Sequence, residues 1–131
     1  MKTRQARILV VDDEAAVRET LMDYLEDEGF ELKGAGSGEL ALQWLALNES
    51  DVAVVDMRLP GMDGSQFIQR SKQLRPEMKH LIYTGSVEFS LSRKLHELGV
   101  EDEMLFHKPL RDMGVLVRAI RMLTCEQRQA G

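Results

Sequence analysis

The stretch DVAVVDMRLPGMDG, residues 51 to 64, joins a short run of valine and alanine to an acid, Asp56, and then to a loop punctuated by Pro60, Gly61 and Gly64. A run this apolar suits a strand covered on both faces, not one that alternates between core and solvent. Proline presets its own φ and glycine admits conformations closed to other residues, so the Pro60–Gly61 pair predicts a sharp excursion beside the acid. The residues that follow, GSQFIQRSKQLR, read as a helix closed by Pro76. Strand, loop and helix form one unit. Packing does not explain why a carboxylate stands at the open end of its strand.

The same unit recurs on both sides. RILVVD (7 to 12) reads as a buried strand, followed by a helix with Val17, Leu21, Tyr24 and Leu25 on one face, acidic Glu14 near its start and Gly29 beyond its end. FELKGAG (30 to 36) is a second strand, and Ser37 is a fitting N-cap for a helix with Leu40, Ala41, Trp44 and Leu45 along one stripe. After the central unit come a strand MKHLIYT (78 to 84), a helix VEFSLSRKLHEL (87 to 98) ending at Gly99, a strand EMLFH (103 to 107) and a helix DMGVLVRAIRML (112 to 123). That last helix aligns Leu116, Ile120 and Leu123, although Gly114 weakens its first turn. Five strand–helix units in series predict a parallel sheet with helices on both faces, since each parallel connection needs a crossover and crossovers are right-handed. The expected fold is α/β: a single three-layer doubly wound domain with five strands and five helices.

At 131 residues the chain fits one domain, spanning 1–131, with flexible ends expected at 1–6 and 125–131. Its 44% hydrophobic and 30% charged residues are those of a globular protein, and no apolar stretch approaches the roughly 18 residues of a membrane span. The basic start MKTRQAR leads into too few apolar residues for a signal-peptide core, which predicts a cytoplasmic protein without a membrane partner. A formal net charge of −5 argues against a direct nucleic-acid partner. Cys125 is the single cysteine, which excludes an internal disulfide and any site built from several thiolates.

In doubly wound sheets ligands bind beyond the carboxyl ends of the strands, where the strand order reverses. The residues expected there are Asp12 and Asp13 after the first strand, Asp56 after the third, Thr84 after the fourth and Lys108 after the fifth. Each has an ordinary explanation alone, as a cap, a strand end or a solvated cation. Together they set three carboxylates, a hydroxyl and an ammonium on one edge. Clustered carboxylates repel one another, a divalent cation relieves that repulsion, and magnesium suits hard oxygen donors and bridges to phosphate oxygens.

At these residues the chain resembles the receiver domains of bacterial two-component response regulators. The matching stretches are ILVVDDE (8 to 14), VVDMRLPGMDG (54 to 64), YTGS (83 to 86) and HKPL (107 to 110), in the family's order and near its spacing. The resemblance implies a flavodoxin-like sheet of strand order 2-1-3-4-5 and phosphorylation of one aspartate by a histidine kinase or histidine phosphotransfer protein. Asp56 matches the phospho-acceptor. Asp12 and Asp13 match the acidic pair that, with Asp56 and the backbone carbonyl of Arg58, holds magnesium. Thr84 and Lys108 match the groups that contact the phosphoryl oxygens, and Arg58 and Ser86 match positions that tune its lifetime. The resemblance also implies a cis peptide between Lys108 and Pro109. Such a domain is not an enzyme acting on external substrates; it catalyses its own phosphorylation and dephosphorylation. It passes the signal to an output domain or protein that the sequence does not identify, and phosphorylation-dependent homodimerisation through the fourth and fifth helices is a further expectation.

One departure stands out. The family's aromatic residue three places before the lysine is here Leu105, while Phe106 should face the other side of the strand. The segment from Gly99 to Lys108 also looks about two residues longer than the family norm. These features lend weight to an alternative, a receiver-like interaction domain that works without phosphorylation. A phosphomonoester hydrolase would want a second aspartate where Arg58 stands. GAGSGE (34 to 39) lacks dinucleotide-loop spacing, DMRLPGMDG (56 to 64) puts Arg58 and Pro60 where a calcium loop needs oxygen ligands, and His80, His96 and His107 lack metal-ligand spacing.

Overall fold

A computed structural model describes residues 5–86 and 90–130, with side chains described as far as Cys125. Its five strands are β1 (Arg7–Val11), β2 (Glu31–Ala35), β3 (Val52–Val55), β4 (Lys79–Thr84) and β5 (Leu105–His107). They form one parallel sheet in the order β2-β1-β3-β4-β5. The helices are α1 (Ala15–Asp27), α2 (Gly38–Leu45), α3 (Gly64–Leu74), α4 (Arg93–Glu97) and α5 (Gly114–Ala130). The chain steps one way from β1 to β2 and then the other way through β3, β4 and β5. Right-handed crossovers therefore put α1 on one face and α2, α3 and α4 on the other. On that second face α3 lies between α2 and α4, and α5 returns across β3 to the side of α1, where Arg121 donates to the carbonyl of Glu28 at 3.0 Å.

Burial follows this order. β1, β3 and β4 are buried along nearly their whole length, as strands covered on both faces must be, whereas edge strand β2 alternates between exposed and half-buried until its last residue, the buried Ala35. Ile8, Leu9, Val55, Phe67, Ile68, Leu81, Ile82 and Leu116 are among the fully buried residues of this core. Ser37 caps α2, its hydroxyl accepting from the Leu40 amide at 3.1 Å. Asp63 and Gln66 close a reciprocal capping box on α3.

Three elements differ from the sequence expectation. The fourth helix, expected over 87–98, runs from Arg93 to Glu97; residues 87–89 of that expectation lie outside the described residues. Ser92 sets the start, with extended backbone and its hydroxyl accepting from the Leu95 amide at 3.2 Å. Before β5 the acidic segment turns through a 3-10 helix, Asp102–Met104, that buries Met104 and leaves only three residues for the strand. The fifth helix begins at Gly114, where Asp112 Oδ1 accepts from the Gly114 amide at 2.9 Å, and continues to Ala130. At the other end of the chain Ala6 is already buried.

Candidate functional site

The chain leaves β1 through Asp12, whose amide still pairs with the carbonyl of Ala35 at 3.1 Å, and leaves β3 through Asp56, whose amide pairs with that of Val11 at 3.0 Å. Both acids thus stand one residue beyond neighbouring strands, and both are 4% exposed. Asp13 is exposed beside them, and one carboxylate oxygen from each of Asp12, Asp13 and Asp56 lies within 4.8 Å of the others. Loop amides hold two of these acids in place. The Glu14 amide donates to Asp12 Oδ1 at 3.0 Å and the Arg58 amide to Asp56 Oδ1 at 3.2 Å.

β4 and β5 deliver the remaining groups. Thr84, fully buried, donates its hydroxyl to Asp56 Oδ1 at 3.0 Å. Lys108 Nζ bridges the two buried acids, at 2.6 Å from Asp12 Oδ2 and 3.1 Å from Asp56 Oδ2. The Lys108 amide extends the strand pairing by donating to the Thr84 carbonyl at 2.8 Å, and the Lys108–Pro109 peptide is cis. Burial alone would lower the pKa of Lys108, but its hydrogen bond and charge interaction with Asp12, then its interactions with Asp56, outweigh that and raise it. The ammonium also lies 5.5 Å from the centre of the Tyr83 ring.

The five residues expected at the strand ends are therefore brought together, Asp13 at the exposed rim and the others within. Three carboxylates against one ammonium leave the cluster a formal charge of −2. An all-oxygen donor set with that deficit fits a hard divalent cation. Arg58 and Ser86 lie at the mouth, the Arg58 guanidinium 3.5 Å from Ser86 Oγ, and the Ser86 amide donates to Thr84 Oγ1 at 3.3 Å. Gly85 is exposed, and a side chain there would meet nothing within 4 Å, so the approach over Thr84 is open. Leu105 is half-buried on β5 in register with Ile82, while Phe106 pairs with Tyr83 on the opposite face.

Two bracing residues escaped the sequence reading. Arg18 on α1 donates to the carbonyl of Asp12 at 2.7 Å, and its stem lies against Gly34 of β2, where an added Cβ would come within 3.2 Å of Arg18 Cδ. Glu39 on α2 accepts from the Met62 amide at 3.3 Å, tying α2 to the loop after Asp56; Gly61 in that loop has φ +73°. Neither residue has a periodic neighbour that would single it out in the sequence.

This fold and this cluster match a known family. Residues 8–121 match the response regulator receiver domain, and the chain belongs to that family. It is similar to sporulation initiation phosphotransferase F of Bacillus subtilis, 31% identical over 71% of this chain and 75% of that protein. It is also similar to the transcriptional regulatory protein AruR of Pseudomonas aeruginosa, 34% identical over 95% of this chain but only 53% of AruR. Of two further curated relatives it spans 24% and 25% of the length. Among solved structures, a CheY-like receiver domain protein from Methanospirillum hungatei superposes with a TM-score of 0.82 at 29% identity, covering 98% of this chain and 100% of that one.

Proposed function

We propose that Asp56 accepts a phosphoryl group from a phosphohistidine of a histidine kinase or histidine phosphotransfer protein, with magnesium bound beside it, and that the loaded site alters a partner-binding face. The observation that carries this reading is the arrangement around Asp56: one oxygen is held by Thr84 and the Arg58 amide, and the other by the Lys108 ammonium. In the transfer an Asp56 oxygen forms a bond to phosphorus as the phosphorus–nitrogen bond to the donor imidazole breaks; the electron pair stays on that nitrogen, and the proton carried by the other ring nitrogen of the phosphohistidine lets the imidazole depart neutral. Lys108 is cationic throughout and offsets the repulsion between the Asp56 carboxylate and the incoming dianion. Thr84 can turn its proton from the carboxylate to a phosphoryl oxygen, and Asp12 keeps Lys108 oriented. Asp12, Asp13 and Asp56, with the backbone carbonyl of Arg58, would hold the magnesium ion, which supplies charge to the phosphoryl oxygens. Arg58 and Ser86 tune access of water and hence the lifetime of the acyl phosphate.

The site acts on its own aspartate, in a cytoplasmic setting, and the charge of about −1.5 to −2 that a phosphoryl group brings bears on Thr84 and Lys108, at the ends of β4 and β5. The receiving surface is then that of α4, β5 and α5, for an output domain or protein or for a second copy of the chain. Incubation with a small phosphodonor and magnesium should add one phosphoryl group by intact mass, and Asp56→Asn should abolish that addition while preserving the circular dichroism of the fold. A folded variant that still gains the group would refute the assignment of Asp56. Absence of phosphorylation by any donor would favour a phosphorylation-independent interaction domain.

A further inference from the structure

β5 is an edge strand in parallel register with β4, so that Leu105 stands beside Ile82, Phe106 beside Tyr83 and His107 beside Thr84. Register partners in a parallel pair project to the same face, and successive residues to opposite faces. His107 therefore shares a face with Thr84, the residue whose hydroxyl donates to Asp56 Oδ1 at 3.0 Å. Tyr83 turns to the other face, toward Lys108 and Met113. The His107 side chain is half-buried, but its Nδ1 atom is fully buried and has no hydrogen-bond partner. Among the described residues no other buried side-chain nitrogen or oxygen lacks one. Buried polar atoms are almost always paired, so an exception on the register partner of Thr84 calls for a reason.

Thr84 Oγ1 gives its proton to Asp56 and accepts from the Ser86 amide at 3.3 Å, which leaves one of its two lone pairs free. Once Asp56 carries a phosphoryl group, the hydroxyl must re-aim from a carboxylate oxygen to a phosphoryl oxygen. We infer that His107 is a positioning residue for this step: in the phosphorylated site its Nδ1–H donates to Thr84 Oγ1 and fixes the hydroxyl against the phosphoryl group, whereas in the unphosphorylated site that nitrogen has no partner. A bond made in one state and missing in the other biases the equilibrium toward the first. The inference rests on the phosphoryl-accepting reading of Asp56 given above.

The test uses the full chain with magnesium, with and without beryllium fluoride, a tetrahedral mimic of the phosphoryl group. In the wild type, the imidazole nitrogen spectrum should show His107 Nδ1 moving to the position of a protonated, hydrogen-bonded nitrogen only when the mimic is present. His107→Leu, which replaces the unpaired nitrogen by carbon, should raise the melting temperature of the unloaded protein and weaken mimic binding about 5-fold. His107→Gln, which keeps a donor, should recover most of that binding. Wild-type protein that binds the mimic with an unchanged Nδ1 signal overturns the inference, as does His107→Leu binding it as tightly as wild type or His107→Gln binding it no better than His107→Leu. Wild-type protein that does not bind the mimic overturns the phosphoryl-accepting reading itself, and this inference with it.

Discussion

Lys108 and His80 show the opposite outcomes for a cation buried with and without carboxylates beside it. Lys108 stays charged because Asp12 and Asp56 offset the loss of water, and its pKa lies above the ordinary 10.5. A group whose folded pKa is raised contributes its full stability below the unfolded value and loses it only as pH climbs through the folded one. Lys108 therefore does not titrate in the range where proteins normally work. Among the described residues no carboxylate offsets the burial of His80: it lies on β4 in an edge-to-face contact with Phe67, with Nε2 2.8 Å from Ser71 Oγ. Burial first, and the Lys72 charge second, lower its pKa to about 3. Above the ordinary 6.5 it is neutral whether folded or not; below that, the unfolded chain takes up a proton that the folded chain refuses until about 3, so stability falls with falling pH across that window. Each pH unit well inside the window costs about 1.4 kcal/mol. His80→Gln retains a partner for Ser71 but does not titrate. Its unfolding free energy relative to wild type should therefore rise by about 1.5 kcal/mol between about pH 6.5 and pH 5, read from denaturant midpoints. Parallel curves for the two proteins would show that His80 is not what makes the fold acid-sensitive.

Among the elements, the β3–α3 connection carries the tightest steric demand. A Cβ at Gly64 would sit 2.5 Å from the carbonyl oxygen of Asp56 and 2.7 Å from Met57 Cα, and backbone cannot swing aside as a side-chain tip can. Gly64→Ala should cost about 2 kcal/mol or more and slow phosphorylation of Asp56 through displacement of its loop, measured by chemical denaturation and by intact mass against time. A variant as stable and as reactive as wild type would contradict this close approach. Gly64 was legible as a loop glycine, and the central strands were legible because burial on both faces left β1, β3 and β4 as unbroken apolar runs. The meeting of the five strand-end residues was legible in part for the same reason, since Asp12 and Asp56 each follow such a run and Thr84 ends one, whereas Lys108 follows the half-buried β5. Legibility fails where a single polar contact decides. Ser92 starts α4 by capping Leu95, although the apolar spacing extends upstream to Leu91. The 3-10 turn at Asp102–Met104 is a different case: it shortens β5 by burying Met104 against the core, with no side-chain cap to mark it. Arg18 and Glu39 brace the site from two helices through one hydrogen bond each to a backbone group, and a lone hydrogen bond leaves no period in a sequence.

Across the whole molecule, the carboxyl ends of four strands converge on one edge, and the site has charges but little backbone of its own. Its formal −2 forms part of a net −5, so the folded state concentrates negative charge that the unfolded chain would spread out. A divalent cation that binds this gathered set binds the folded state alone, and mass action then stabilises the fold by RT ln(1 + [L]/Kd), about 1.4 kcal/mol at ten times Kd. For a domain of this size that corresponds to a rise of roughly 5 °C in melting temperature. Magnesium chloride should produce such a saturable rise over sodium chloride of equal ionic strength. Asp13→Asn, at the exposed rim, removes one of the three carboxylates while leaving Asp12, Asp56 and Lys108 paired, so it should weaken the magnesium response several-fold and disturb the unloaded fold little. If magnesium and matched sodium shift the melting temperature equally, or if Asp13→Asn responds as wild type does, the acidic edge serves only the lysine ion pairs and the donor set for a metal must be sought elsewhere.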